Sequence, residues 1–443
     1  MSAAQSAAVG LNFEEDLYIP PVPQTVEETG LAPSHIEQLI IKTLYFNGET
    51  VGRDLANALG LKFSLIDGIM EFLKRTRLVE VKRSSGFGNV SAVFALSEAG
   101  RIRGREYLDI NQYAGRAPVP VEQYVEVVRK QRAKDGWLTK ETLTLAFQHM
   151  VVSPETITRI GPAVNSGKSF LLYGQPGNGK TYMAEALQNV EHSCIYVPYA
   201  LEVQGQIIQM FDALYHRRVD EVDASQSSLA VDPLYDGRWA RCRRPFIVTG
   251  GELTLEMLDL SYNPSAKIYD APFQLKANNG IYLIDDFGRQ KVSPAELLNR
   301  WIIPMDRRVD YLTFHTGGKV AVPFEAFLIF STNLHPDTLG DEAFLRRIQY
   351  KMYLKSPTQE EFIEIFKRYC ESENLYCPST VLDRFIEKHY RRTGKRFRRC
   401  HPRDIITHAI DLIRFEKAPY ELTEQMLDRA FESCFLESSE IVD

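Results

Sequence analysis

The strongest constraint on this chain is Gly174-Gln175-Pro176-Gly177-Asn178-Gly179-Lys180-Thr181, which fits G-x-x-x-x-G-K-[ST] at every fixed position. A short apolar run, Ser169 to Tyr173, precedes it and reads as a buried parallel strand. A helix is predicted from about Lys180. Strand, glycine loop and helix in that order turn backbone N–H groups inward around phosphate oxygens. The helix aims its positive end at the same anion. In such a loop Lys180 reaches the β- and γ-phosphates, and the Thr181 hydroxyl holds Mg²⁺. Gly174 to Thr181, with Tyr182 behind them, are the candidate nucleotide-binding residues.

Two further segments follow in order. Ile281-Tyr282-Leu283-Ile284-Asp285-Asp286 reads as a buried strand that delivers two carboxylates to its C-terminal end, where open α/β sheets bind ligands. Asp285 is the candidate holder of the Mg²⁺ hydration shell. Asp286 is the candidate group that orients and polarises the attacking water. Leu328-Ile329-Phe330-Ser331-Thr332-Asn333 reads as a strand ending in an amide able to meet both the γ-phosphate and that water. The three segments together predict binding of a nucleoside triphosphate, ATP with Mg²⁺, and its hydrolysis.

Composition bounds the rest. At 443 residues the chain has room for two or three domains. A net charge of −6 argues against a wholesale nucleic-acid coat but leaves room for a local basic face. No run approaches the roughly 18 apolar residues of a membrane span. The Ala/Ser-rich start lacks the basic and apolar blocks of a secretory signal. The six cysteines are scattered, with no C-x-x-C pair. Reduced thiols in a cytoplasmic protein are expected, without a metal–thiolate site.

Five segments are expected along the chain. Residues 1–30 are a Pro-containing flexible lead-in. Residues 31–112 carry three amphipathic helices, a two-stranded ribbon with its tip at Ser84 to Gly88, and a helix opened by Ser97. Residues 113–150 are a Pro-punctuated helical connector. Residues 151–356 hold the nucleotide motifs, and 357–443 form a helical lid. The expected class is α/β: a P-loop parallel-sheet core with a C-terminal helical lid and an N-terminal domain that resembles a winged helix-turn-helix.

The three nucleotide segments, followed by a helical C-terminal region, resemble the AAA+ ATPases over roughly residues 150 to 435. The resemblance implies that Lys180 and Thr181 are the Walker A pair, Asp285 and Asp286 the Walker B pair, and Asn333 sensor 1. Asp341-Glu342-Ala343-Phe344-Leu345-Arg346-Arg347 matches the segment ending in the arginine finger that reaches a neighbouring subunit's site. Arg346 and Arg347 are both candidates. His401-Pro402-Arg403-Asp404, at a helix start, resembles sensor 2, with Arg403 as the sensing residue. It follows that the chain should be a homo-oligomer, a hexameric ring.

One departure stands out. Most of the family has Glu where this chain has Asp286, one methylene shorter, so hydrolysis is expected to be slow. Between the second and third segments, Val309 to Phe314, His315-Thr316-Gly317-Gly318 and Lys319 to Val322 read as strand, turn, strand. This is similar to the hairpin before sensor 1 in the clade of MoxR-type chaperones and enhancer-binding activators. The long Lys180–Asp285 interval places a surplus between His216 and Lys276. Its Trp239-Ala240-Arg241-Cys242-Arg243-Arg244 is either a partner contact or a solvated basic loop. Eight Lys/Arg between Lys388 and Arg403 are either a nucleic-acid face or a solvated one. The third helix mixes Asp67 and Glu71 with Lys74, Arg75 and Arg77, so the winged-helix-like domain suits a protein or DNA. The resemblance implies remodelling of a protein partner, with a DNA-directed motor or a slow ATP-gated switch as alternatives.

Overall fold

The computed structural model describes residues 17–84, 88–133, 138–190, 193–219, 234–339 and 345–435. Expectations for residues 1–16, the ribbon tip at 85–87, residues 220–233 of the surplus and residues 341–344 of the finger segment lie outside the described residues.

The fold is α/β. Five strands form one sheet in the order Phe246–Thr249, Ile281–Ile284, Phe327–Thr332, Phe170–Tyr173, Tyr350–Tyr353. Ile329 opposes Phe170 on one side of the phosphate-loop strand and Tyr350 opposes it on the other, both in parallel register. The strand Phe170–Tyr173 is therefore internal, and its apolar run is explained by burial on both sides of the sheet.

The chain forms two compact units built from interleaved segments, not consecutive blocks. One takes in the described residues of 1–135, 191–283 and 290–328, the other those of 136–190, 284–289 and 329–443.

In the first unit, helices Pro33–Asn47, Gly52–Leu59 and Phe63–Arg75 bury Ile36, Ile40, Leu55, Leu59, Ile66 and Met70 in one core. Pro33 sits in the first turn of its helix, where its missing N–H costs nothing, and Gly48 ends that helix with φ 72°. The third helix begins at Phe63 without a side-chain cap. Ser97 caps the following helix as predicted, accepting from the Gly100 N–H at 3.0 Å. Thr50–Val51, Ala92–Leu96 and Val79–Ser84 pair antiparallel beside these helices.

The connector is not a free tether. Ala117 to Pro120 are buried, and Val119–Pro120 pairs in parallel with Ala200–Val203 at the edge of a second five-stranded sheet. Of this sheet, Ser261–Asn263 and Ile268–Asp270 fall within the expected surplus, while Ala200–Val203 and Gln206–Gln209 precede it. Trp239–Arg243 is a strand paired with Cys194–Pro198, not a basic loop. Trp239, Ala240 and Cys242 are core residues. Arg244 is tied to Ser193, to the Asn279 carbonyl and to the Gln131 carbonyl. The predicted hairpin forms, with Val309–Thr313 against Lys319–Pro323 and Gly317 at φ 86° in its turn. Its root is fixed by Asp310, buried and paired to Arg300 at 2.6 Å.

In the second unit, Ser153 caps the helix Pro154–Ser166 ahead of the phosphate-loop strand. Thr358 and Glu361 form a reciprocal cap at the start of Gln359–Ser372, worth about 1 kcal/mol for the Thr side chain. That helix packs with Ser379–Ile386, His401–Glu416 and Glu424–Cys434 around Phe362, Phe366, Phe385, Ile406 and Leu427.

Candidate functional site

Every described sequence-predicted site residue belongs to the second unit. The loop leaves the strand at Gly174 and enters the helix Lys180–Ala186. Gly177 has φ 77°, and a Cβ there would lie 2.6 Å from Cys400 Sγ, so both conformation and space exclude a side chain. The Asn178 amide holds the loop from below, donating toward the Leu354 carbonyl and Ser356 Oγ at 3.4 and 3.3 Å. Gln175 and Pro176 form the outer turn. Tyr182 is about half exposed, with its ring edge-on to His149.

Lys180 is 7% exposed. Its ammonium donates to the Gly174 and Gln175 carbonyls at 3.1 and 3.2 Å and to Asn333 Oδ1 at 2.5 Å. Burial lowers its pKa; Asp285 and Asp286 pull the other way, and Arg398 adds to the lowering. Three acceptors thus hold the cation over the loop.

Thr181 Oγ1 donates to Asp285 Oδ2 at 2.7 Å. The other oxygen of Asp285 accepts the Asp286 N–H at 3.0 Å. Asp286 sits at φ 47°, a left-handed conformation that costs a non-glycine residue roughly 1–2 kcal/mol. The turn is held by the adjoining strand: the Phe287 N–H donates to the Ser331 carbonyl at 2.7 Å, and Thr332 Oγ1 donates to the Phe287 carbonyl at 2.7 Å. Asn333, at the end of that strand, donates from Nδ2 to Asp286 Oδ1 at 3.0 Å. Its two amide atoms therefore join Lys180 to Asp286.

The Thr181 hydroxyl and Asp285 carboxylate are hard oxygen donors in contact. Such a sparse set fits Mg²⁺, which keeps most of its waters and takes few protein ligands beside phosphate oxygens. Among the described residues no group of three His, Cys, Asp or Glu forms a self-sufficient metal cage.

The two finger candidates differ. Arg346 is exposed, with no hydrogen-bond or ion-pair partner among the described residues. Arg347 is half-buried, and its carbonyl accepts from Ser169 Oγ at 3.2 Å.

The arginine whose side chain is hydrogen-bonded to the loop is one the sequence did not single out. Arg403 is exposed and turned to Asp404, with Nε and Nη2 at 3.1 and 3.0 Å from Oδ1. Arg398 instead donates from Nη2 to Gln175 Oε1 at 3.3 Å, while its Nη1 is buried without a hydrogen-bond partner among the described residues. The Cys400 N–H donates to the Gly177 carbonyl at 2.9 Å, fixing this segment against the loop. Arg399 is committed to Glu361 at 2.7 Å and to the Val151 carbonyl. The only cue was the density of arginine in Arg396-Phe397-Arg398-Arg399; the helix-start pattern pointed past it to Arg403. Other cations of the basic stretch are also satisfied internally, Lys388 by Asp428 and Arg391 by Gln359 and Glu387.

A family model described as "Domain of unknown function (DUF8689)" matches residues 358–433, the C-terminal helical segment. No curated protein matches the chain. Among solved structures, a RuvB point mutant from Thermotoga maritima is similar at 13% identity and TM-score 0.35, over 70% of this chain and 76% of that one. NtrX from Brucella abortus is similar at 12% identity and TM-score 0.38, over 69% of this chain and 66% of that one. No helix among the described residues is long and apolar enough to cross a membrane.

Proposed function

We propose that the chain is an ATP hydrolase of the AAA+ type, in which hydrolysis drives the remodelling of a macromolecular partner. The observation that carries this is the continuous polar chain Lys180–Asn333–Asp286–Asp285–Thr181, every link a hydrogen bond. A phosphate-binding cation, an amide, a candidate base and a candidate metal-holding pair are rarely assembled without a triphosphate to act on.

Each residue then has a task. The loop N–H groups and Lys180 bind the β- and γ-phosphate oxygens, the ammonium exchanging its carbonyl acceptors for them. Thr181 and Asp285 would hold Mg²⁺, which when bound supplies neutralisation of phosphate charge. Asp286 accepts the proton of the attacking water, and Asn333 orients that water beside it. Arg398, whose buried Nη1 has no partner among the described residues, is the better candidate than Arg403 for sensing phosphate from the C-terminal segment. Arg346, exposed and without a partner among the described residues, is favoured over Arg347 as a finger offered to a neighbouring copy in a hexameric ring.

A protein partner is favoured over DNA. On the third helix and the ribbon, Lys74 pairs with Glu71, Lys82 with Glu80 and Arg83 with Glu49. Phosphate contact would have to break these pairs. The slow-switch reading survives in the short side chain of Asp286. The test is phosphate release from Mg·ATP by the full chain beside Lys180→Ala. Turnover in the wild type and none in the variant is expected; equal rates would sink the assignment.

A further inference from the structure

Far along the sequence from the phosphate loop, the first unit contains a cavity of about 230 Å³ beside Lys42. His35, Gln38, Leu39 and Lys42 line it from one face of the helix Pro33–Asn47, at i, i+3, i+4 and i+7. Asn111, Tyr113 and Glu202, the last on the strand Ala200–Val203, add to its polar lining.

Lys42 is the anomaly. It is 2% exposed, and its ammonium has three donors. The acceptor the structure gives it is Asn111 Oδ1 at 2.8 Å, an oxygen that also takes the Tyr113 N–H at 3.1 Å. No carboxylate pairs with Lys42 among the described residues. A buried cation with a single neutral acceptor is costly, and such groups are retained where something else neutralises them. Burial holds its pKa down from 10.5 to about 8.

We propose that this cavity binds a small zwitterion of the α-amino acid class, its carboxylate on Lys42 and its ammonium on Glu202. The volume exceeds the roughly 150 Å³ that holds a benzene-sized guest. One lysine matches one carboxylate. A phosphate dianion would call for further cations and would meet the Glu202 carboxylate, whose Oε1 is already engaged by the Gly205 N–H at 2.6 Å. The Gln38 side chain adds a donor on the same helix face.

The test uses the full chain without nucleotide, so its outcome is independent of the ATPase reading. Each free α-amino acid, acetate and inorganic phosphate is titrated by calorimetry at pH 7 and by thermal shift. At least one amino acid is expected to bind saturably and raise the melting temperature. Lys42→Met should abolish that binding. Glu202→Gln should weaken the amino acid at least about tenfold while leaving acetate unchanged, a loss of about 1.4 kcal/mol. Because the ligand carboxylate raises the Lys42 pKa, binding should weaken and take up protons above pH 8. If no amino acid binds the wild type, if phosphate binds in preference, or if Lys42→Met binds unchanged, the proposal is overturned. Should Lys42→Met fail to fold, Glu202→Gln and Gln38→Ala decide, and unchanged amino-acid affinity in both overturns it equally.

Discussion

Asn333 Oδ1 accepts a hydrogen bond from the Lys180 ammonium at 2.5 Å. Asn333 follows the strand Phe327–Thr332, Lys180 opens the helix beyond the loop that leaves the neighbouring parallel strand Phe170–Tyr173, and the same amide donates to Asp286. Asn333 therefore couples the cation proposed to bind phosphate to the group proposed to activate water. Asn333→Ala should lower kcat by about 10²-fold or more, as removal of a transition-state hydrogen bond does. ATP affinity should change only a few-fold. Parallel stopped-flow binding and turnover measurements separate the two, and an equal loss in both would make Asn333 a binding residue only.

The C-terminal segment offers a choice between arginines. Arg398→Ala should weaken ATP binding or slow turnover by at least about tenfold, because a charge-assisted contact to phosphate is worth roughly 1.5–3 kcal/mol. Arg403→Ala should be near neutral, since it breaks only an exposed contact with Asp404. The reverse order of effects would restore Arg403 to the role its helix-start position suggested.

An exposed Arg346 predicts action in trans. Arg346→Ala should cost on the order of 10³-fold in rate with ATP binding retained. Mixing it with Lys180→Ala should restore part of the activity, since some sites would pair an intact loop with a neighbour's intact finger. Mixed assemblies that form yet stay inactive would show that Arg346 does not act across a subunit boundary.

His216 predicts a pH dependence of stability. Its Nδ1 accepts the Asp212 N–H at 3.0 Å, so Nε2 must carry the proton and donate to the Lys276 carbonyl at 2.9 Å. The ring is held neutral, and burial lowers its pKa to about 4, with the Lys276 carbonyl and Asp212 opposing and the Lys276 charge reinforcing. Between about pH 6.5 and 4 the unfolded chain binds a proton that the folded chain does not. Stability from this group is thus complete above pH 6.5 and lost as pH falls toward 4, by on the order of 2–3 kcal/mol. Urea midpoints of wild type and His216→Gln should converge as pH drops through that window; parallel curves would show a group that does not titrate there.

What the sequence disclosed, and what it hid, follows from range. Gly174 to Thr181 act through a contiguous backbone, so their spacing carries the geometry. Asp285, Asp286 and Asn333 stand at strand ends, where an apolar run announces position. Ser97, a local cap, was equally readable. Arg398 was missed because choosing it among neighbouring arginines requires knowing that the Cys400 N–H meets the Gly177 carbonyl. Trp239–Arg243 was read as basic, although its alternation of core residues with arginines is a strand pattern; charge density masked the period of two. The Val119–Pro120 pairing with Ala200–Val203 joins segments eighty residues apart, with nothing in the prolines themselves to mark it.

The most direct measurement is the fate of radiolabelled ATP on Asp286→Asn. The carboxamide keeps the size and the Asn333 contact but cannot take a proton, which should cost about 10²–10⁴-fold in rate. Full-chain Asp286→Asn should retain unhydrolysed ATP through gel filtration, while wild type returns ADP and phosphate. Wild-type turnover in the variant, or no ATP bound by either protein, would contradict the assignment of this site.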